Sequence, residues 1–109
     1  ECDALYIPTD NTIANNTEIV KNVAVPAGIP VVTGEEGMCS GCGLATLSIS
    51  YYDLGVKAAE MAYEILTNGA DPAQMAIGYV TDGITEKYNA DIAEALDITI
   101  PEDMVAIEN

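Results

Sequence analysis

The chain has 109 residues, half of them apolar but without Phe or Trp, so it can bury one modest core of aliphatic, Met, Ala and Tyr side chains. Eighteen acidic residues face Lys21, Lys57 and Lys87, with no Arg and no His, for a net charge of −15. That balance excludes a nucleic-acid or anionic-membrane surface, which needs clustered cations, and excludes Ser-His or Cys-His nucleophile activation and imidazole metal ligation within the chain.

No stretch reaches the roughly 20 apolar residues of a membrane span. No Gly-rich phosphate loop ending in Gly-Lys-Ser/Thr occurs, and the first residues do not read as a signal peptide. The abrupt entry from Glu1-Cys2-Asp3 into an apolar run gives the expectation of a piece of a larger protein.

Residues 3–7 read as a buried strand ended by Pro8. Asp10 or Asn11 can cap the helix that follows, in which Ile13, Thr17, Val20, Ala24 and Ala27 share one face before Pro26 and Gly28 close it. Ile29 to Thr33 is a second, β-branched strand bounded by Gly34, and a loop or single turn is expected from Glu35 to Gly43. Leu44 to Ser50 alternates as a third extended run, so strand, helix and strand form a right-handed parallel unit. Leu54, Ala58, Met61 and Ile65 mark a second amphipathic helix, stopped at Asn68-Gly69. Met75–Val80 and Ile84–Tyr88 read as two extended pieces joined by Thr81-Asp82-Gly83, which has turn chemistry. Asn89 can cap a short helix through Leu96, Ile98 to Pro101 is extended or looped, and the remaining residues carry little pattern.

Three of these apolar runs stop abruptly at small polar or acidic residues. In a parallel α/β sheet the carboxyl ends of the strands open onto a common crevice, so side chains just past those ends meet at one site. The candidates for that site are Thr9, Asp10 and Asn11, then Glu35 and Glu36, then Ser50, Tyr51 and Tyr52. Each also has a structural reading. Asp10 and Asn11 serve equally well as helix caps, adjacent acids in a loop are ordinarily solvated, and a Tyr pair commonly locks a helix to a sheet.

The strand ending in Pro8-Thr9-Asp10-Asn11, Ala27-Gly28-Ile29-Pro30-Val31, the turn Glu35-Glu36-Gly37, Gly43-Leu44-Ala45-Thr46 and Tyr51-Tyr52-Asp53-Leu54-Gly55 together resemble the solute-binding proteins of bacterial ABC transporters. The likeness is to the type I periplasmic-binding fold, in the family that includes tryptophan- and other aromatic-amino-acid-binding lipoproteins, and Asn89 to Ala93 with Leu96 to Pro101 fits its C-terminal end. The resemblance implies an α/β, parallel-sheet three-layer sandwich, with residues 1–109 as the C-terminal fragment of a two-lobed protein whose N-terminal lobe lies outside it. It also implies no enzymatic activity and no cofactor or metal. The expected function is extracytoplasmic capture of a small solute, such as an aromatic amino acid, and its delivery to an ABC permease in the membrane. Glu35 or Glu36 would then meet the ligand's ammonium group, Tyr51 or Tyr52 would stack on its side chain, and helix N-termini after Asn11 or Tyr52 could hold its carboxylate. An isolated fragment is expected to bind no solute usefully and to self-associate through its interlobe surface.

Cys39-Ser40-Gly41-Cys42 departs from that family's pattern. A disulfide between Cys39 and Cys42, or an incidental thiol pair, is preferred over redox or metal chemistry, and the odd count leaves Cys2 without an intrachain partner. Two other functions stay open at this stage. The same fold could be the ligand-sensing domain of a signalling protein, and the CxxC could serve a thiol-redox protein.

Overall fold

A computed structural model describes residues 2–108. The chain divides into two compact units, one running to Ser48 and resuming at Thr85, the other comprising Ile49–Ile84.

The first unit is built on a five-stranded sheet of order β1-β2-β3-β4-β5. Its strands are β1 (Leu5–Ile7), β2 (Val31–Thr33), β3 (Ala45–Ser48), β4 (Thr85–Tyr88) and β5 (Val105–Ala106). The first three are mutually parallel, with Ile7 opposite Thr33 and Thr33 opposite Thr46. β4 joins β3 antiparallel, Thr85 facing Ser48 and Lys87 facing Thr46, and β5 lies parallel to β4. The α/β class and the parallel order of the first three strands follow the sequence pattern.

Helices α1 (Asn11–Ala14) and α2 (Thr17–Ala24) connect β1 to β2, and α3 (Glu36–Cys42) connects β2 to β3. Both crossovers step the same way along the sheet, so right-handed connections put all three helices on one face. Between that face and the sheet lies a core of Ile7, Ala24, Val31, Met38 and Cys42, flanked by Ile13 and Val20. A second cluster gathers Leu44, Ile92 and Ala93 with Val25, Ala45, Tyr88, Leu96, Ile98 and Ile100 around α5 (Ala90–Ala95). On the opposite pleat from Ile7, Thr33 and Thr46, three large side chains remain open to solvent: Tyr6 at 68% exposure, Val32 at 39% and Leu47 at 54%.

Three local expectations are corrected. The single helix expected after β1 is two, because Asn15 ends α1 and Asn16 starts α2, its side-chain amide donating back to the Thr12 carbonyl at 2.7 Å. The loop expected over 35–43 is a helix, and its start is satisfied by Glu35, whose carboxylate accepts from the Gly37 and Met38 N–H groups. Residues 75–80 form no strand, while Val105 and Ala106 do, finding in Lys87 and Tyr88 the backbone partners that make a strand.

The second unit is α4 (Tyr51–Asn68) followed by an irregular segment. Ser50 caps it, its hydroxyl accepting from the Asp53 N–H at 3.1 Å, and Gly69 ends it in the left-handed conformation at φ 69°. No residue of α4 is buried, and Lys57 pairs with Glu60 one turn on. Among the described residues no helix is long and apolar enough to cross a membrane.

Candidate functional site

The carboxyl ends of β1, β2 and β3 open on one edge of the sheet, and β4, being antiparallel, begins at that same edge. The loops leaving β1 and β2 lie against each other there. The Gly34 N–H donates to the Ile7 carbonyl at 2.9 Å, and a side chain at Gly34 would stand 2.9 Å from both the backbone nitrogen and the hydroxyl of Thr9. Only glycine fits this approach, which brings Thr9 beside the β2 turn. Asp10 extends from the same loop and caps α1, its Oδ1 accepting from the Ile13 N–H at 3.0 Å; Asn11, the first helical residue, is exposed.

The two acids after β2 take different roles. Thr33 is buried and donates its hydroxyl to the Glu35 carbonyl at 3.0 Å, while the Thr46 hydroxyl donates to the Thr33 carbonyl at 2.8 Å. These bonds fix the turn, and Glu35 spends both carboxylate oxygens on the first backbone N–H groups of α3. Glu36, one position on, faces outward. Its Oε2 accepts from the Lys87 ammonium at 2.7 Å and the Ser48 hydroxyl at 3.2 Å, so Lys87 above all holds its carboxyl below the usual range. Glu36, Ser48 and Lys87 thus form one polar cluster on three elements, 51 residues apart at the extremes. Sequence reasoning missed Ser48 and Lys87. The alternation of β3 places Ser48 on the same pleat as Thr46, but nothing in the linear sequence announces an antiparallel β4 beside it.

Ser50, Tyr51 and Tyr52 belong to the second unit. Ser50 serves as the cap of α4, and Tyr51 and Tyr52 are open to solvent at 64% and 80% exposure. A shallow groove of about 620 Å³ runs along α4, bounded by Val56, Met61, Tyr63 and Met75 among others. Its charged lining residues, Lys57, Glu60 and Glu64, all stand on α4, and Lys57 and Glu60 pair with each other, whereas the strand-end edge gathers polar groups from several elements and is the better candidate for ligand recognition.

Cys39 and Cys42 are separate buried thiols rather than a disulfide. Both point from α3 into protected surroundings, and burial pushes the Cys39 thiol up to about 11 and raises Cys42 as well. Reactive cysteines are depressed in pKa and accessible, so a thiol-redox role loses its chemical basis. No grouping of three or more metal-ligating side chains occurs among the described residues. Asn89, buried at the start of α5, ties the pieces together by donating to the Cys39 and Ser40 carbonyls at 3.1 and 2.9 Å while accepting from the Ile92 N–H at 3.3 Å.

The strand-end edge of this α/β sheet thus gathers carboxylates, hydroxyls and one ammonium. The chain belongs to the ABC transporter substrate-binding protein family, whose pattern it matches over residues 1–108; these are solute-binding proteins rather than enzymes. It is 47% identical over 64 residues to a tyrosine-binding protein of Clostridioides difficile (strain R20291), a match covering 59% of this chain and 19% of that protein. Among solved structures it resembles the ligand-free, open form of a substrate-binding protein with adhesive properties from Clostridium difficile, at 36% identity and a TM-score of 0.71, covering 96% of this chain and 36% of that one. It also resembles an ABC domain from Streptococcus pneumoniae in complex with L-Trp, at 31% identity and a TM-score of 0.79, covering 98% and 37%. The chain therefore spans little more than a third of these solved relatives.

Proposed function

We propose that this chain is the C-terminal part of a two-lobed, extracytoplasmic solute-binding protein that captures an aromatic amino acid and delivers it to an ABC permease. The observation that carries the reading is the agreement between relatives: at 31–47% identity, one is named for tyrosine and another holds L-Trp. The strand-end edge supports it chemically. Within the first unit, Glu36 offers a carboxylate to an ammonium group, and Thr9, packed against Gly34 at the same strand ends, offers a hydroxyl. Glu35 and Asp10 hold helix starts and shape the wall.

The uncovered apolar surfaces support a larger parent protein. Parallel sheets are ordinarily covered on both faces, yet Tyr6, Val32 and Leu47 are open, as are Val56, Tyr63 and Leu66 on α4. The isolated chain would self-associate through such surfaces and bind no solute with useful affinity.

A thermal-shift screen of the full-length protein against amino acids, nucleosides and sugars tests this reading, because a ligand that binds only the folded state raises the melting temperature. Tyr, Trp or Phe is expected to give the largest shift. A response confined to a sugar or nucleoside would refute the assignment.

A further inference from the structure

We infer that Lys87 is the anchor for the ligand's carboxylate, and that the Glu36–Lys87 ion pair is the resting arrangement which an amino-acid zwitterion replaces. The inference rests on the amino-acid reading above and assigns that site a residue outside the sequence-derived set.

β4 begins at the edge where the parallel strands end, and Lys87 shares the pleat of Thr33 and Thr46, so its side chain emerges on the face that carries α3 and Glu36. The chain has only two other cations among its basic side chains. Lys57 lies on α4 and pairs with Glu60, and Lys21 lies in the last turn of α2, a helix that runs away from the strand-end edge because it returns the chain to the start of β2. Lys87 is thus the lysine that the first unit brings to that edge. A carboxylate approaching Asp10, Glu35 and Glu36 would otherwise meet only negative charge.

The Lys87 and Glu36 side chains are 27% and 40% exposed, so the pair is reachable from solvent, and an ion pair so exposed costs little to open. A zwitterion inserted between them turns one charge-assisted contact into two, ammonium on Glu36 and carboxylate on Lys87, and leaves the net charge of the cluster unchanged. Ser48 donates to the same Glu36 oxygen and keeps that carboxylate in place when Lys87 swings to the ligand.

Titration calorimetry on the full-length protein separates the two halves of this clamp, using L-tyrosine, tyramine (no carboxylate) and 3-(4-hydroxyphenyl)propionate (no ammonium). Lys87→Met should weaken L-tyrosine by about 10- to 100-fold, the worth of one hydrogen bond to a charged group, and leave tyramine bound at least as tightly, since Glu36 loses its competing partner. Glu36→Gln should weaken L-tyrosine similarly and leave the propionate bound at least as tightly, since Lys87 loses its competing partner, and Lys87→Arg should restore most of the affinity. Unaltered tyrosine binding by Lys87→Met would overturn the inference. Equal weakening of tyrosine and tyramine would also overturn it, since that is the signature of a structural role. If the wild-type protein binds no aromatic amino acid, the functional reading fails first and this inference with it.

Discussion

Gly41 sits inside α3, where helix propensity alone says that alanine should stabilise by about 0.8–1 kcal/mol. The structure reverses the sign. A Cβ on Gly41 would stand 2.3 Å from the Thr17 hydroxyl oxygen, 2.7 Å from its Cβ and 3.0 Å from its Cγ2. Rotating the Thr17 side chain cannot relieve the contact with its Cβ, whose position is set by the α2 backbone. Reaching an ordinary carbon–carbon separation of about 3.5 Å requires α2 and α3 to part by close to 1 Å, across the packing that holds Ala24 and Met38. Approaches this close put the cost in the upper part of the overpacking range, about 2–3 kcal/mol, so after a propensity gain of about 1 kcal/mol Gly41→Ala should destabilise by about 1–2 kcal/mol. With a denaturant dependence of about 2 kcal/mol per M urea, the midpoint measured by far-UV circular dichroism on the full-length protein should drop by roughly 0.5–1 M. Thr17→Gly removes all three clashing atoms, so the double variant should recover most of the loss. A Gly41→Ala protein as stable as wild type, or more so, would refute the reasoning and mean that the two helices are not seated this closely.

Asn89→Asp retains an acceptor for the cap of α5 but loses the amide that serves the Cys39 and Ser40 carbonyls, and it should destabilise by about 1–3 kcal/mol in urea denaturation. Wild-type stability for this variant would show that the cap, rather than the tie to α3, is what Asn89 supplies. Cys2 is exposed and should be alkylated by iodoacetamide at pH 8, while Cys39 and Cys42 should react only after denaturation; labelling of all three in the native state would contradict the burial seen here. Because burial raises Cys39 from 9.0 to about 11, its contribution to stability is fully present below about pH 9 and is lost as pH rises towards 11. Melting temperatures of wild type and Cys39→Ala should therefore converge across that window.

Much of the frame is visible in the chain because its punctuation is local. Asn68-Gly69 stops α4, Asn89 starts α5, and the β-branched run after Gly28 marks β2, each by chemistry that acts within a few residues. What escapes is decided at a distance or by an unusual donor. α3 carries two glycines and is started by a glutamate rather than the Ser, Thr, Asp or Asn that usually signals a helix start, so its sequence reads as a turn until the Met38 and Cys42 side chains are seen in the core. β5 is only two residues long, and it is a strand because Lys87 and Tyr88 offer it backbone partners. Residues 75–80 have the composition of a strand and lack such a partner in their own unit, so they remain irregular.

The adjacent acids after β2 show why the candidate site was only half legible. To the sequence Glu35 and Glu36 are interchangeable, two carboxylates in one acidic turn. Entry into a helix separates them: the residue at the cap keeps extended backbone geometry and folds its carboxylate back onto the N–H groups two and three positions ahead, whereas the next residue is already helical and sends its side chain outward. Glu35 thereby becomes part of the scaffold, and Glu36 is left to meet whatever lies across the edge. What lies there is Lys87, delivered by a strand that runs against its neighbour. The same phase argument sorts Asp10, which folds back onto Ile13, from Thr9, which the close approach of Gly34 keeps at the rim. A strand-end acid is therefore a ligand candidate only once the helix behind it has taken its own cap, and here that leaves Glu36 as the carboxylate able to exchange partners.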